Sequence, residues 1–143
     1  MDPSARDRFA AARVARLATV SEDGRPHLVP VVFAVDAGEV LWTAVDGKPK
    51  TTRALWRLRN ITANPRVSLL VDSYAEDWST LWWVRADGLA TIAPVTGEEG
   101  AAAVAVLARK YPQYLTDPPP GPLIRVEIDR WVSWSAATPH TDA

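Results

Sequence analysis

The stretch "ATVSEDGRPHLVPVVFAVD", residues 18–36, decides the fold. "RLATVS" and "HLVPVVFAVD" read as strands around the turn "EDGRP". A tight turn between consecutive strands means antiparallel pairing. The second strand does not alternate between apolar and polar. His27, Val29, Val31, Phe33 and Val35 fall on one side, and Leu28, Pro30, Val32 and Ala34 on the other. A barrel interior covers only one of these faces, so a helix, a subunit partner or a flat ligand must cover the other. Pro30 cannot donate to a ladder, so it marks an edge, a bulge or a place where the barrel opens.

Working outward, "PSARD" starts a helix, with Ser4 as cap and Asp7 at the capping-box position. After the hairpin, "DAGE" turns the chain into the strand "EVLWTAV". "TTRALWRLRNITAN" has helical period. Ala54, Leu58 and Ile61 share one face, and Arg53, Arg57 and Asn60 fall on the opposite side. Pro65 ends it, and "RVSLLVD" is a fourth strand. "TLWWVRADGLATIA" is a long strand with Gly88 as a bulge or bend. "TGEEGAAAVAVLARKY" is a helix with Thr96 as cap and Glu98 and Glu99 in its first turn. "LIRVEIDRWVSW" is the last strand. The expected fold class is mainly β with helices, as six antiparallel strands closed into a small barrel. The chain of 143 residues reads as one domain, 1–143, with 136–143 as a disordered tail.

Composition narrows the function. The chain has no cysteine, which removes disulfides, thiolate metal sites and a cysteine nucleophile. His27 and His140 are the only histidines, too few for a multi-histidine metal site, so no metal is expected. A formal charge of -1 argues against general nucleic-acid binding. The N-terminal segment lacks a signal-peptide core, being interrupted by Arg6, Arg8, Arg13 and Arg16. The longest apolar runs fall far short of the ~20 residues of a membrane span. The expectation is a soluble, cytoplasmic protein.

Against this neutral background, "DGKPKTTR", residues 46–53, carries Lys48, Lys50 and Arg53 with Thr51 and Thr52 among them. It lies between a strand and a helix, where unpaired backbone N–H groups and partial positive charge favour an anion. Lys48 and Lys50 would add charge, Thr51 a hydroxyl, and Arg53 or Arg57 a guanidinium fork, a set suited to phosphate. The competing reading is a charged loop that only solvates the surface. The tryptophans are the second feature. Trp42 enters this loop, and Trp78, Trp82 and Trp83 lie in "EDWSTLWW". Trp82 and Trp83 cannot both face the interior, so one awaits a flat ligand, a subunit or a covering helix. His27, alone at a strand start, reads as structural or solvent-facing rather than catalytic. No nucleophile–base pair, Walker loop or Gly-x-Gly-x-x-Gly occurs, so no catalytic residue is assigned. Any hard chemistry would belong to a cofactor.

Taken together, "ATVSEDGRPHLVPVVFAVD", "LWTAVDGKPKTTRALWRLRNITANPRVSLLVD" and "WWVRADGLATI" resemble the pyridoxamine-phosphate-oxidase-like split-barrel superfamily. The resemblance runs from about residue 13 to residue 135. Within the superfamily the chain is most similar to the actinobacterial branch of flavin and deazaflavin oxidoreductases. Those use coenzyme F420, an 8-hydroxy-5-deazaflavin with a phosphate and a glutamate tail. The resemblance implies a homodimeric six-stranded split barrel with two cofactors in grooves at the dimer interface. It places the phosphate at Lys48, Lys50 and Thr51, and the ring beside Pro30, Val31, Trp42 and Thr43. The partner chain would contribute Trp78 and one of Trp82 and Trp83.

One departure bears on cofactor choice. Superfamily members that bind flavin mononucleotide carry cations in the second strand, and "HLVPVVFAV" has none. That favours the deazaflavin over flavin mononucleotide (FMN). The expected function is an F420-dependent reductase that delivers hydride to a small unsaturated organic molecule, with solvent, Thr43 or Tyr74 as proton source. The alternatives are an FMN-dependent oxidoreductase and a non-catalytic flavin- or deazaflavin-binding protein.

Overall fold

The computed structural model describes residues 3–45 and 52–137, with side chains at 4–45 and 56–137. Seven strands form one antiparallel sheet: β1 Ala15–Val20, β2 Pro26–Val31, β3 Ala34–Val35, β4 Val40–Ala44, β5 Arg66–Ser73, β6 Trp82–Ala93 and β7 Leu123–Ser135. The helices are α1 Pro3–Ala11, α2 Thr52–Ala63, α3 Gly97–Lys110 and α4 Gln113–Thr116, with a 3₁₀ turn at Trp78–Thr80. The strand order is β2-β1-β5-β6-β7-β4-β3. The sheet curls into a half-barrel, and its two edge strands, β2 and β3, are neighbours in sequence. No described helix is long and apolar enough to cross a membrane.

The strand count is therefore seven rather than the expected six. "HLVPVVFAVD" is interrupted at Val32–Phe33, and the cause lies 78 residues away. The Phe33 N–H donates to the Tyr111 hydroxyl at 3.1 Å. The single proton of that hydroxyl faces two carbonyl oxygens, of Arg13 and of Phe33, each 2.9 Å away. Tyr111 thus takes up the main-chain groups that a ladder partner would use, and the strand breaks there.

Other expectations hold in place. The hairpin turn is closed by Ser21 N–H to Arg25 O and Gly24 N–H to Ser21 O, both 2.9 Å. Gly24 has φ 84°, a left-handed conformation that a side chain would strain. In β6 the register against β7 shifts between Asp87 and Gly88, a bulge that leaves Asp129 of β7 without an opposite residue. Thr96 is the N-cap residue of α3, although its hydroxyl makes no capping bond. At the N-terminus, α1 begins at Pro3, so Ser4 lies within the helix rather than before it.

Two apolar clusters hold the sheet. The inner one joins Phe9 of α1 and Ile61 of α2 to Leu17, Val31, Phe33, Leu41, Leu69, Val84 and Val126. Phe9 packs on Phe33 at 5.1 Å between ring centroids, and edge-on to Trp131 at 5.2 Å. Glu39 then clamps α1 to the sheet, accepting from Arg6 and from the Trp131 indole N–H, both at 2.6 Å. The second cluster lies on the other side of β3 and β4. There Leu107, Ala103, Ala108 and Tyr111 of α3 and its C-terminal end cover Ala34, Trp42 and Ala44. The helix thus covers β4, and with it Val32 and Ala34 from the later half of the doubly apolar stretch.

Candidate functional site

Among the described residues, no helix covers the outer side of β2 in the same way. Val29 and Val31 turn toward the inner cluster, whereas Leu28 is 67% exposed and Pro30 is also exposed. The register extends this outer face across the sheet. Pro30 stands opposite Arg16, Arg16 opposite Leu70, Leu70 opposite Arg85, and Arg85 opposite Val132. The next row runs Leu28, Ala18, Ser68, Asp87, Arg130, and a third Asp72, Trp83, Trp134. The alternation that places Trp83 on this outer face places Trp82 on the inner one. There Trp82 packs against the core, with the Arg8 guanidinium 5.4 Å from its ring centroid.

The charges on the outer face are mostly paired within it. Arg16 approaches Asp72 at 3.6 Å. Arg85 holds Asp87 with Nε to Oδ1 at 2.8 Å and Nη2 to Oδ2 at 3.1 Å, and the Ser68 hydroxyl donates to the same Oδ1 at 2.7 Å. Partial burial works to raise the pKa of Asp87. The hydrogen bonds from Arg85 and Ser68 and the charges of Arg85 and Arg130 outweigh it and hold the carboxyl below its ordinary range.

The residues expected at a cofactor site are distributed unevenly. Lys48, Lys50 and Thr51 lie outside the described residues, and Arg53 lies on α2 with its side chain outside them. Arg57 is half-buried on the same helix. Of the four positions expected to flank a ring, Pro30 is exposed, while Val31, Trp42 and Thr43 are buried. Thr43 is only 1% exposed and donates its hydroxyl proton to Val32 O at 2.7 Å. Tyr74, the other expected proton source, is exposed. Trp78 is 76% exposed. Its 3₁₀ turn is fixed by Asp77, whose Oδ1 accepts from the Ser79 N–H at 3.0 Å and the Ser79 hydroxyl at 2.6 Å. Those two bonds hold the Asp77 carboxyl below its ordinary pKa. The indole is therefore presented on a rigid support, with most of its surface open.

Sequence reasoning missed a polar group at the end of the inner face. Asn60 is buried rather than on a solvent side, because it lies about 100° round α2 from Ile61. Its Nδ2 donates to Thr19 Oγ1 at 3.1 Å. His27 stands opposite Thr19, with Nδ1 buried and no hydrogen-bond partner among the described residues. The signal available was the spacing of Asn60 from Ile61, which places an amide at the edge of the buried stripe.

Residues 1–135 match the pyridoxamine 5'-phosphate oxidase family. Among solved structures, the chain is similar to a conserved hypothetical protein of Mycobacterium tuberculosis, with a TM-score of 0.73 and 24% identity, over 100% of this chain and 92% of that one. An F420 reductase matches with a TM-score of 0.67 and 26% identity, over 92% of this chain and 98% of that one. HutZ, the heme storage protein of Vibrio cholerae, matches with a TM-score of 0.69 and 19% identity, over 93% of each chain. No protein of curated function matches significantly.

Proposed function

The chain belongs to the pyridoxamine 5'-phosphate oxidase family, and we propose that within it the protein is a homodimeric oxidoreductase that binds coenzyme F420 and reduces a small unsaturated organic substrate. The observation that carries this reading is the outer side of β2, apolar, exposed and free of cations at Leu28 and Pro30. The nearest cation on that face, Arg16, is turned to Asp72. A flat, weakly charged ring fits such a surface, and the phosphate is left to the loop of Lys48, Lys50 and Thr51, with Arg53 and Arg57 on the following helix. Similarity to an F420 reductase points the same way.

In this reading Pro30 offers its side chain to the ring, while Val31, Trp42 and Thr43 meet it through main-chain atoms. Trp78 of a second copy closes the groove. The second copy also accounts for the outer face, whose Trp83, Trp134, Leu70 and Val132 are joined by charges already neutralised in pairs. Pairing reduces the cost of taking those charges out of water without removing it. Covering it in a permanent dimer would bury about 2,000 Å² or more.

When bound, the deazaflavin supplies a hydride at C5. The chain's task is to hold the acceptor within about 3–3.5 Å and keep water out. Of the two hydroxyls, that of Tyr74 is exposed and can meet a substrate, and that of Thr43 is committed to Val32 O. A non-catalytic binding role is the second reading, favoured by the shared fold of a heme storage protein. Steady-state oxidation of the reduced deazaflavin with a panel of enones and quinones separates them. Protein-dependent turnover supports the reductase, and binding without turnover against every acceptor supports the binder.

A further inference from the structure

Beyond the Ala18–Ser68 pair, β1 and β5 part. β1 continues to Val20 against Pro26 of β2, and β5 runs back to Arg66 against Leu89 of β6. Along this gap no ladder joins the two strands, and the Arg66 N–H donates instead to Asn64 Oδ1 at 3.1 Å. The gap is an open cleft of about 400 Å³ on the outer face, large enough for a small organic molecule. Its apolar lining comes from Ala18 and Val20; Val67 also borders it, with its side chain in the inner cluster. Across from them, the bulge at Gly88 turns Asp129 out beside Arg130. The bulge position requires glycine, because a Cβ there would run into the Glu127 carbonyl oxygen.

The charges around the cleft leave one cation over. Asp87 is held by Arg85 and Ser68. Asp129 has Arg66 at 3.5 Å. Arg130, opposite Asp87 and exposed, adds its charge to those that hold Asp87 but makes no hydrogen bond or ion pair of its own among the described residues. With Asp87 already bound by Arg85 from outside the lining, the cleft's own two guanidinium groups, Arg66 and Arg130, face one remaining carboxylate, Asp129. A neutral ligand would leave Arg130 without a charge partner, and a dianion would meet Asp129 and Asp87 at close range.

We propose that the cleft between β1 and β5 binds a small monocarboxylate with an apolar body, its carboxylate held by Arg130 and Arg66 and its body on Ala18 and Val20. None of these residues belongs to the set proposed for the cofactor.

The test is a titration of ¹⁵N-labelled full-length protein with sodium benzoate, followed by amide chemical shifts, without any cofactor present. The expected result is saturable shifts at Val20, Val67 and Gly88, about a tenfold weaker affinity in Arg130→Gln, and no such shifts with benzamide. Arg130 is exposed, so the unchanged remainder of the variant's spectrum will report that it is folded. Absence of saturable shifts at these amides overturns the proposal, as does equal binding of benzamide or an unaffected Arg130→Gln. If the same amides respond to protein dilution and not to benzoate, the cleft is occupied by a second copy and the carboxylate site is wrong.

Discussion

Replacing Lys110 with methionine should stabilise the protein at neutral pH, and the gain should vanish in alkali. Lys110 ends α3, and its Nζ is buried, with no hydrogen-bond partner among the described residues. It lies 3.8 Å from the centroid of the Phe33 ring. Burial, and then the nearby charge of Arg13, push its pKa from 10.5 down to about 8. The gap corresponds to about 3.4 kcal/mol at about 1.36 kcal/mol per pH unit. The side chain is only half-buried, so solvent screens much of that cost. Attraction to the Phe33 face and to the helix C-terminus offsets more, each by about 1 kcal/mol. About 1 kcal/mol of net destabilisation remains at pH 7. Between pH 8 and 10.5 the unfolded chain holds the Lys110 proton and the folded one does not. Stability therefore rises with pH through that window, and the contribution of this group is least favourable below pH 8. Urea unfolding followed by tryptophan fluorescence, wild type against Lys110→Met, should give a difference of about 1 kcal/mol at pH 7 that shrinks toward pH 10. A variant less stable than wild type at pH 7, or a difference independent of pH, would refute the reasoning.

Three further outcomes are expected. Lys50→Ala should weaken deazaflavin binding about ten- to hundredfold, a charge-assisted phosphate contact, while Arg109→Ala, an exposed cation on α3, should not; equal affinities would make the loop a solvated face. Lys110 cannot serve as that control, because it is embedded against Phe33 and Tyr111. Trp83→Asp should abolish the proposed dimer and leave the protomer folded, whereas Trp82→Asp should lower stability by about 2 kcal/mol or more, read by light scattering and thermal melting. Tyr111→Phe strips the hydroxyl from the buried Phe33 N–H and should cost about 2 kcal/mol in denaturant unfolding; a neutral effect would mean that water takes its place.

The sequence made the strands legible where a local pattern carried them. The turn at Gly24, the bulge at Gly88 and the helix start at Thr96 each depend on a few adjacent residues, and each lies where expected. It failed where a distant contact decides. Nothing in "HLVPVVFAVD" shows that Tyr111 will break it. Parity alone told that Trp82 and Trp83 face opposite ways, but the phase came from the register with β5 and β7. The same holds for Lys110, which looks like an ordinary helix-end cation until Phe33 is placed beneath it. At the candidate site, the sequence marked β2 as doubly apolar. It could not show that α3 would cover β4 and leave Leu28 and Pro30 open.

Cofactor choice tests the central claim most directly. Purified protein titrated in parallel with the oxidised deazaflavin and with flavin mononucleotide, followed by fluorescence quenching, should bind the deazaflavin more tightly, because β2 offers no cation to a second phosphate contact. Tighter binding of flavin mononucleotide, or a yellow flavin that copurifies with the protein, would contradict the account.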